Sequence, residues 1–337
     1  MDSTIRSFQY WSCIIKRIRL TRRILSWGFR LQTSDSRLGL VLLQQPPATI
    51  DNKGVFGVAK ILKKLQLAPA VWEFEVDAPL IAHKCKPGQF VMVLVDETSE
   101  RIPLTIGDFD REKGSITLMV QAVGNTTRHL CEDFAQGDEI QHILGPLGQP
   151  SEMGRFGTVV MVCGGIGVAP VHPIARAYHE LGNKVITIIG GRHKDLILWR
   201  DRMEKISDEV IITTDDGSEG IKGFVTDPLR KMLEEGNHPD LVVAIGPIIM
   251  MMNVAKVTQP FNVKTTASLS CLMVDGTGMC GGCRVQVGGE SKFTCCDGPE
   301  FDAHQVDFKN LMQRSKMYKD QEAVEYSCGG HCRCVEE

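Results

Sequence analysis

Aromatic side chains are scarce. Phe, Trp and Tyr make up 6% of the 337 residues, with four Trp and four Tyr, too few for the stacking platforms of single-strand nucleic acid binders. Charge of one sign is missing too: the net charge is -3, which gives no electrostatic footprint for nucleic acid. No run of about 18 apolar residues occurs, so no transmembrane segment is expected. The basic N-terminal stretch has no clean apolar core of about 7 to 15 residues, so a secretory signal is not expected. Hydrophobic residues at 43% and charged residues at 23% exclude disorder, collagen and coiled coil as descriptions of the whole. At roughly 150 residues per domain, the length predicts two domains or three small ones.

Glycine and cysteine are what the chain has in number. There are 33 glycines and 12 cysteines, and eight of those cysteines lie from Cys271 onward. That clustering favours a metal centre over a disulfide scaffold. Charge is also uneven. Arg6, Lys16, Arg17, Arg19, Arg22, Arg23, Arg30 and Arg37 face two acids in the first 37 residues, leaving 30 basic against 39 acidic residues in the body. With Ile14, Ile15, Ile18, Leu20, Ile24 and Leu25 between the charges, this stretch reads as an extension, an amphipathic surface helix or an organelle presequence. At the other end, Cys328, Cys332, Cys334 and His331 form a tight group that can hold zinc, contribute to an iron–sulfur site or be a loose reactive tail.

From Val55 to Leu147, short apolar runs with partial alternation are broken by Pro69, Pro79, Pro87-Gly88 and Gly137-Asp138. About six strands, the last a single run at 138–146, and one helix, Thr126 to Phe134, predict a small antiparallel barrel. From Thr158 the rhythm changes. Buried strands at 158–165, 184–192, 209–217, 241–247 and 263–269 alternate with helices at 170–181, 195–206, 225–235 and 250–259, which predicts a parallel sheet with helices on both faces. After Ser270 short strands and glycine-rich turns predict a small cofactor-bearing lobe.

Gly165 and Gly167 end the first parallel strand and open a helix, where free N–H groups and the helix dipole favour phosphate. The full dinucleotide fingerprint is absent, because Pro170 stands where the third glycine would be. Gly191-Arg192, Asp215-Asp216-Gly217 and Gly246-Pro247 each follow another apolar strand, so they should align on the sheet's carboxyl edge, where such sheets bind ligands. In the barrel, Arg101 lies in an extended stretch four residues before the Thr105 hydroxyl and can grip a phosphate or be a plain surface strand.

The strongest local signal is the glycine-dense loop with Cys280 and Cys283, followed by Cys295. The plant-type two-iron spacing is C-x4-C-x2-C with a distant fourth cysteine. Five positions before Cys280 stands Asp275, a carboxylate that can ligate iron. Cys271 is the rival for that place and Cys296 for that of Cys295. A zinc knuckle is the competing reading. Cys85, Cys131 and Cys163 stand alone and are expected to be core or surface thiols.

Taken in order, these blocks resemble the ferredoxin–NADP reductase superfamily. They are most similar to its branch of dihydroorotate dehydrogenase electron-transfer subunits and the small subunits of NADH-dependent reduced ferredoxin:NADP oxidoreductases, also called sulfide dehydrogenases. The similarity runs from about Phe56 to Lys319, through ERIPLTIGDFD, ITTDDGS, MVDGTGMCGGCRVQVGGE and DGPEFDAHQVDF. It implies a ferredoxin reductase-like chain: an antiparallel β-barrel flavin domain at 56–154, an α/β parallel-sheet nucleotide domain at 155–268 and a [2Fe–2S] lobe at 269–312, with an atypical basic extension at 1–55 and a helix and Cys-rich tail at 313–337. It further implies that Arg101, Pro103, Leu104 and Thr105 form the FAD motif, and that Gly124, Asn125, Thr126 and Thr127 form the second flavin phosphate loop. Gly165, Gly167, Gly191, Arg192, Asp215, Asp216 and Gly246 would take NAD(H) or NADP(H), and Asp275, Cys280, Cys283 and Cys295 the cluster. Gly298, Pro299 and Glu300 match the segment that closes the lobe against the flavin.

NADH gives two electrons together and a two-iron cluster takes one, so a flavin has to stand between them. No side chain need act as acid or base. The reading expected is the small electron-transfer subunit of a flavin-based bifurcating NADH-dependent ferredoxin:NADP oxidoreductase complex, with a larger flavin and iron–sulfur partner, reaching ferredoxin through the complex, in a reducing cytoplasmic compartment. The alternatives are the same chemistry in a dihydroorotate or sulfide dehydrogenase complex, and a zinc-stabilised nucleotide-binding regulator with no redox activity.

Overall fold

The computed structural model describes residues 58–317, and the basic N-terminal stretch and the Cys328–Cys334 group lie outside the described residues. The first seven strands are β1 (Ala59–Ala68), β2 (Val71–Asp77), β3 (Phe90–Leu94), β4 (Ile102–Asp110), β5 (Ser115–Gln121), β6 (Glu139–Ile140) and β7 (His142–Leu147), with helices α1 (Pro79–Lys84) and α2 (Asn125–Asp133) between them. They form one antiparallel sheet in the order β6-β1-β2-β5-β4-β3-β7. The single run expected at 138–146 is two strands. β6 pairs with β1 at one edge of the sheet and β7 with β3 at the other, so consecutive residues nearly close the barrel. Ile61, Phe74, Ile116 and Leu118 are fully buried inside it, each stabilising by about 1.5–3 kcal/mol. Cys85 and Cys131 belong to the same core, and burial pushes their thiols up to about 11 and about 12.

The second sheet contains β8 (Thr158–Gly164), β9 (Lys184–Gly191), β10 (Glu209–Thr214), β11 (Ile221–Lys222), β12 (Leu241–Ile245), β13 (Thr265–Ser268) and β16 (Glu300–Asp302). Its order is β11-β10-β9-β8-β12-β13-β16, parallel except for β16. Helices α3 (Val168–Glu180), α4 (Arg200–Glu204), α5 (Thr226–Glu234) and α6 (Ile248–Thr258) connect its strands, and apolar cores lie on both faces. Strands buried on both faces read as continuous apolar runs, which is why they stand out in the sequence.

The helix expected at 195–206 is not continuous. Trp199 takes a left-handed conformation, φ +51°, and only Arg200–Glu204 is α-helical. A buried indole N–H needs an acceptor, and Trp199 Nε1 donates to Glu73 Oε2 on β2 at 2.8 Å. The demand of the barrel carboxylate overrides local helix propensity. Beyond β13, a hairpin of β14 (Arg284–Val287) and β15 (Glu290–Phe293) precedes β16, and α7 (Phe308–Arg314) follows it.

Candidate functional site

Because β8 has β9 on one side and β12 on the other, the connections leave it in opposite senses and open a crevice at its carboxyl end. Gly165 and Gly167 stand there. Gly165 has φ +57° and open space where a Cβ would project, the left-handed conformation glycine adopts freely. At Gly167 a Cβ would lie 2.3 Å from the Ile245 carbonyl oxygen, so only glycine lets the helix start pack on the end of β12. Gly246 is also closely packed, with a Cβ 3.1 Å from the Gly164 nitrogen. Asp215 N donates to Gly191 O at 3.1 Å and Asp216 N to Arg192 O at 3.2 Å, so these four residues line one rim of the crevice. Ser218 hydrogen bonds to the Asp216 carboxylate hold it below the usual carboxylate range.

In the barrel, β4 pairs with β3 in the register Phe90–Thr105, Val91–Leu104 and Met92–Pro103. Arg101 directly precedes β4 and is exposed. Gly124 caps α2, and the Thr127 hydroxyl accepts from Val123 N and Gly124 N at 3.1 and 3.0 Å. Glu100 N donates to the Thr126 hydroxyl at 3.1 Å, which brings the Arg101 segment beside the start of α2 and Asn125. The arginine segment and a helix N-terminus thus stand side by side, and a guanidinium with helix N–H groups is the donor set a diphosphate needs.

The cysteine loop shows two pairs of donors. Cys280 Sγ lies 3.4 Å from Asp275 Oδ1, and Cys283 Sγ lies 3.2 Å from Cys295 Sγ. Met279 N and Cys280 N both donate to Asp275 Oδ2 at 3.0 Å. Burial raises the Asp275 carboxyl, but hydrogen bonds from Thr277 and Cys280 outweigh it and hold it below its usual range. Burial first, then the Cys283 and Cys296 sulfurs, drive the Cys295 thiol far upward; a bound cation reverses that logic. Among the described residues no three His, Cys, Asp or Glu converge on a single metal ion. Paired donors depart from a single-ion zinc knuckle and fit a binuclear cluster, in which each iron takes two protein ligands. Of the rivals, Cys271 lies 3.2 Å from the Thr294 hydroxyl, and Cys296 Sγ is 3.7 Å from Cys295 Sγ.

The lobe sits directly on the barrel. Phe90 and Met92 share one apolar cluster with Met273, Cys283 and Cys295, and a Cβ at Gly276 would lie 2.5 Å from Met92 Cγ. Neither Phe90 nor Met92 stood out in the sequence as a site residue. Their one signal is that β3 is apolar on both faces, which a barrel strand with an outer neighbour requires. Gln149 N and Ser151 Oγ tie the barrel to Gly298 O and Glu300 Oε1 at 2.6 Å each. Burial lifts the Glu300 carboxyl to about 6.

Two family models match this chain: the iron-sulfur cluster binding domain of dihydroorotate dehydrogenase B over residues 271–307 and the oxidoreductase NAD-binding domain over 161–256. A dihydroorotate dehydrogenase B (NAD(+)) electron transfer subunit homolog from Thermotoga maritima is 43% identical over 267 residues, 79% of this chain and 94% of the relative. The chain belongs to the family of dihydroorotate dehydrogenase B electron transfer subunits. An electron transfer subunit from Desulforamulus reducens is 33% identical over 74% of this chain and 97% of its own. A solved chain of an NADH-dependent reduced ferredoxin-NADP oxidoreductase, studied for flavin-based electron bifurcation, matches with 42% identity and a TM-score of 0.76, covering 81% of this chain and 98% of that one. Phthalate dioxygenase reductase shares the fold at 20% identity and a TM-score of 0.52. This electron transfer subunit is therefore an oxidoreductase chain of ferredoxin reductase-like fold with NAD-binding and iron–sulfur-binding domains, as the resemblance implied. No helix among the described residues is long and apolar enough to cross a membrane.

Proposed function

We propose that the chain moves electrons between NAD(H), FAD and a [2Fe–2S] cluster, as the small subunit of a bifurcating oxidoreductase of the NADH-dependent reduced ferredoxin–NADP type. The observation that carries this reading is the β3–β4 register. Thr105 and Pro103 pair with Phe90 and Met92, and Phe90 and Met92 pack with Cys283 and Cys295. One strand width, about 5 Å, separates the flavin motif from the apolar cluster that holds two of the thiols.

When bound, a flavin supplies the chemistry that joins a two-electron donor to a one-electron acceptor. The side chains bind, orient and exclude water. Arg101 and the α2 start at Gly124, Asn125, Thr126 and Thr127 would hold the diphosphate, and Leu104 and Thr105 would set the ring on the barrel. Gly165, Gly167 and Gly246 would admit the nicotinamide nucleotide to the crevice beside Gly191 and Arg192. The carboxylates of Asp215 and Asp216 favour a ribose 2′-hydroxyl over a 2′-phosphate, which supports NAD(H). Asp275 and Cys280 would hold one iron, and Cys283 and Cys295 the other. Leu272, Val274 and Met279 are 49%, 56% and 89% exposed around Cys280, an apolar rim suited to a larger partner subunit that receives the electron and passes it toward ferredoxin.

The test is the visible spectrum with iron, sulfide and flavin content, on anaerobic protein coexpressed with its genomic neighbour. One FAD and two irons per chain, bleached by NADH, are expected. A colourless, zinc-only protein after attempted reconstitution overturns the reading.

A further inference from the structure

Between Cys280 and Cys283 the chain is Gly281-Gly282, and both glycine carbonyls are held by arginines from outside the loop. Arg314 Nη2 donates to Gly282 O at 2.9 Å, and Arg284 Nη1 donates to Gly281 O at 3.3 Å. The peptide that turns its carbonyl to Arg284 turns its other end, Gly282 N, to Cys280 Sγ at 3.4 Å. Met279 N and Cys280 N point to Asp275 in the same way. The loop therefore has its amides turned toward the donor set and two of its carbonyls turned away, toward guanidinium groups. Arg314 is not a wandering surface cation. It ends α7, which is anchored by buried Phe308 and Leu311 and started by Asp307 accepting from Asn310 N at 3.0 Å. Arg314 is half-buried, while Arg284 is exposed.

Any redox centre held by this loop gains one negative charge on reduction. Fixed cations and inward-facing N–H groups stabilise the reduced form more than the oxidised one, which raises the potential. Charge on a half-buried group is screened less than charge in water. We infer that Arg314, with Arg284 in a lesser role, is a positioning residue that orients the Gly281–Cys283 peptides and raises the reduction potential of the cluster. This rests on the reading of the loop as a [2Fe–2S] site.

The experiment is an EPR-monitored redox titration of the full chain copurified with its partner subunit, as wild type, R314Q, R314K and R284Q, with iron and sulfide measured on each. R314Q is expected to make reduction about tenfold less favourable, which is about 59 mV for one electron. R314K, which keeps the charge but loses the planar fork, should fall between R314Q and wild type. R284Q should shift less, and its shift should shrink in high salt. Iron-loaded R314Q and R314K both at the wild-type potential overturn the inference. If R314Q fails to hold iron, R314K and R284Q decide: a lowered potential in either supports it, and wild-type potentials in both overturn it. Wild-type protein with no iron, no sulfide and no signal on reduction overturns the cluster reading itself, and this inference with it.

Discussion

Toward the cysteine-rich lobe the barrel presents mainly carbon and sulfur, and toward the parallel sheet it sets charge beside the apolar contact of Ala68, Val71 and Met119. On the lobe side Phe90, Met92, Leu144 and Leu147 meet Met273, Cys283 and Cys295. On the sheet side Glu73 accepts from Trp199 Nε1 at 2.8 Å and from Arg202 Nη2 at 2.9 Å, and Asp108 accepts from Arg176 Nη1 at 2.6 Å. Apolar contact has little directional preference, so close packing sets distance and keeps water out. Charge-assisted hydrogen bonds are directional and set angle. An electron path needs a short, dry and constant contact. A nucleotide crevice must admit a polar ligand while the two walls keep their orientation. Each junction has the chemistry that its task on the proposed reading requires.

The largest effect is expected from overfilling the dry junction. Gly276 has φ +74°, and a Cβ there would lie 2.5 Å from Met92 Cγ and 3.0 Å from Leu147 Cδ1. Gly276→Val combines a left-handed penalty of about 1–2 kcal/mol with overpacking of about 1–3 kcal/mol. Reduction of an external one-electron acceptor by NADH should fall about 100-fold or more, a barrier change of about 2.7 kcal/mol, while NADH still bleaches the flavin. Acceptor reduction at the wild-type rate would show that the close contact does not set the electron path.

What the sequence reveals and what it hides divide along the same lines. Asp275, Cys280, Cys283 and Cys295 stand out as candidates because ligand spacing and glycine density are local properties of one loop, and the structure pairs Asp275 with Cys280 and Cys283 with Cys295. The parallel sheet was legible because strands buried on both faces are unbroken apolar runs. The junctions were hidden because their partners are remote. Trp199 breaks the expected helix for a carboxylate 126 residues away, and Arg314 reaches a carbonyl 32 residues away. The run at 138–146 looks like one strand, yet its two halves pair with β1 at one edge and β3 at the other. No window of sequence contains both sides of these contacts.

A smaller effect is expected from breaking the charged junction. Glu73 is 3% exposed. Glu73→Ala leaves the buried Trp199 N–H without its acceptor, a cost of about 1–3 kcal/mol, while Arg202, whose side chain is 35% exposed, can turn to water. The urea midpoint should drop accordingly. NADH should reduce the flavin more slowly, and the EPR signal of the reduced cluster should not change. Glu73→Gln keeps an acceptor for the indole and should recover most of the stability. A cluster signal altered in Glu73→Ala would mean that the two junctions are not independent.

The smallest effect is a pH dependence at the same charged junction. His172 Nδ1 donates to the Gly107 carbonyl at 3.3 Å, and its ring meets Trp199 edge-on at 5.4 Å. Burial lowers its pKa, with Asp108 opposing and Arg176 adding to the depression. A histidine held neutral stabilises fully above the unfolded imidazole value of about 6.5, and that stability is lost as pH falls through the lower folded value. The slope for one proton is at most about 1.4 kcal/mol per pH unit. His129 has the opposite sign. Its ring lies 2.6 Å from both Asp133 and Asp96, which raise its pKa, so its contribution is present below about 6.5 and fades as pH rises through the raised value. Urea midpoints from pH 5 to 8 should therefore separate the variants: His172→Gln should flatten the acid side relative to wild type, and His129→Gln the alkaline side. Only the first should also change how fast NADH reduces the flavin, because only His172 stands where the barrel and the sheet meet.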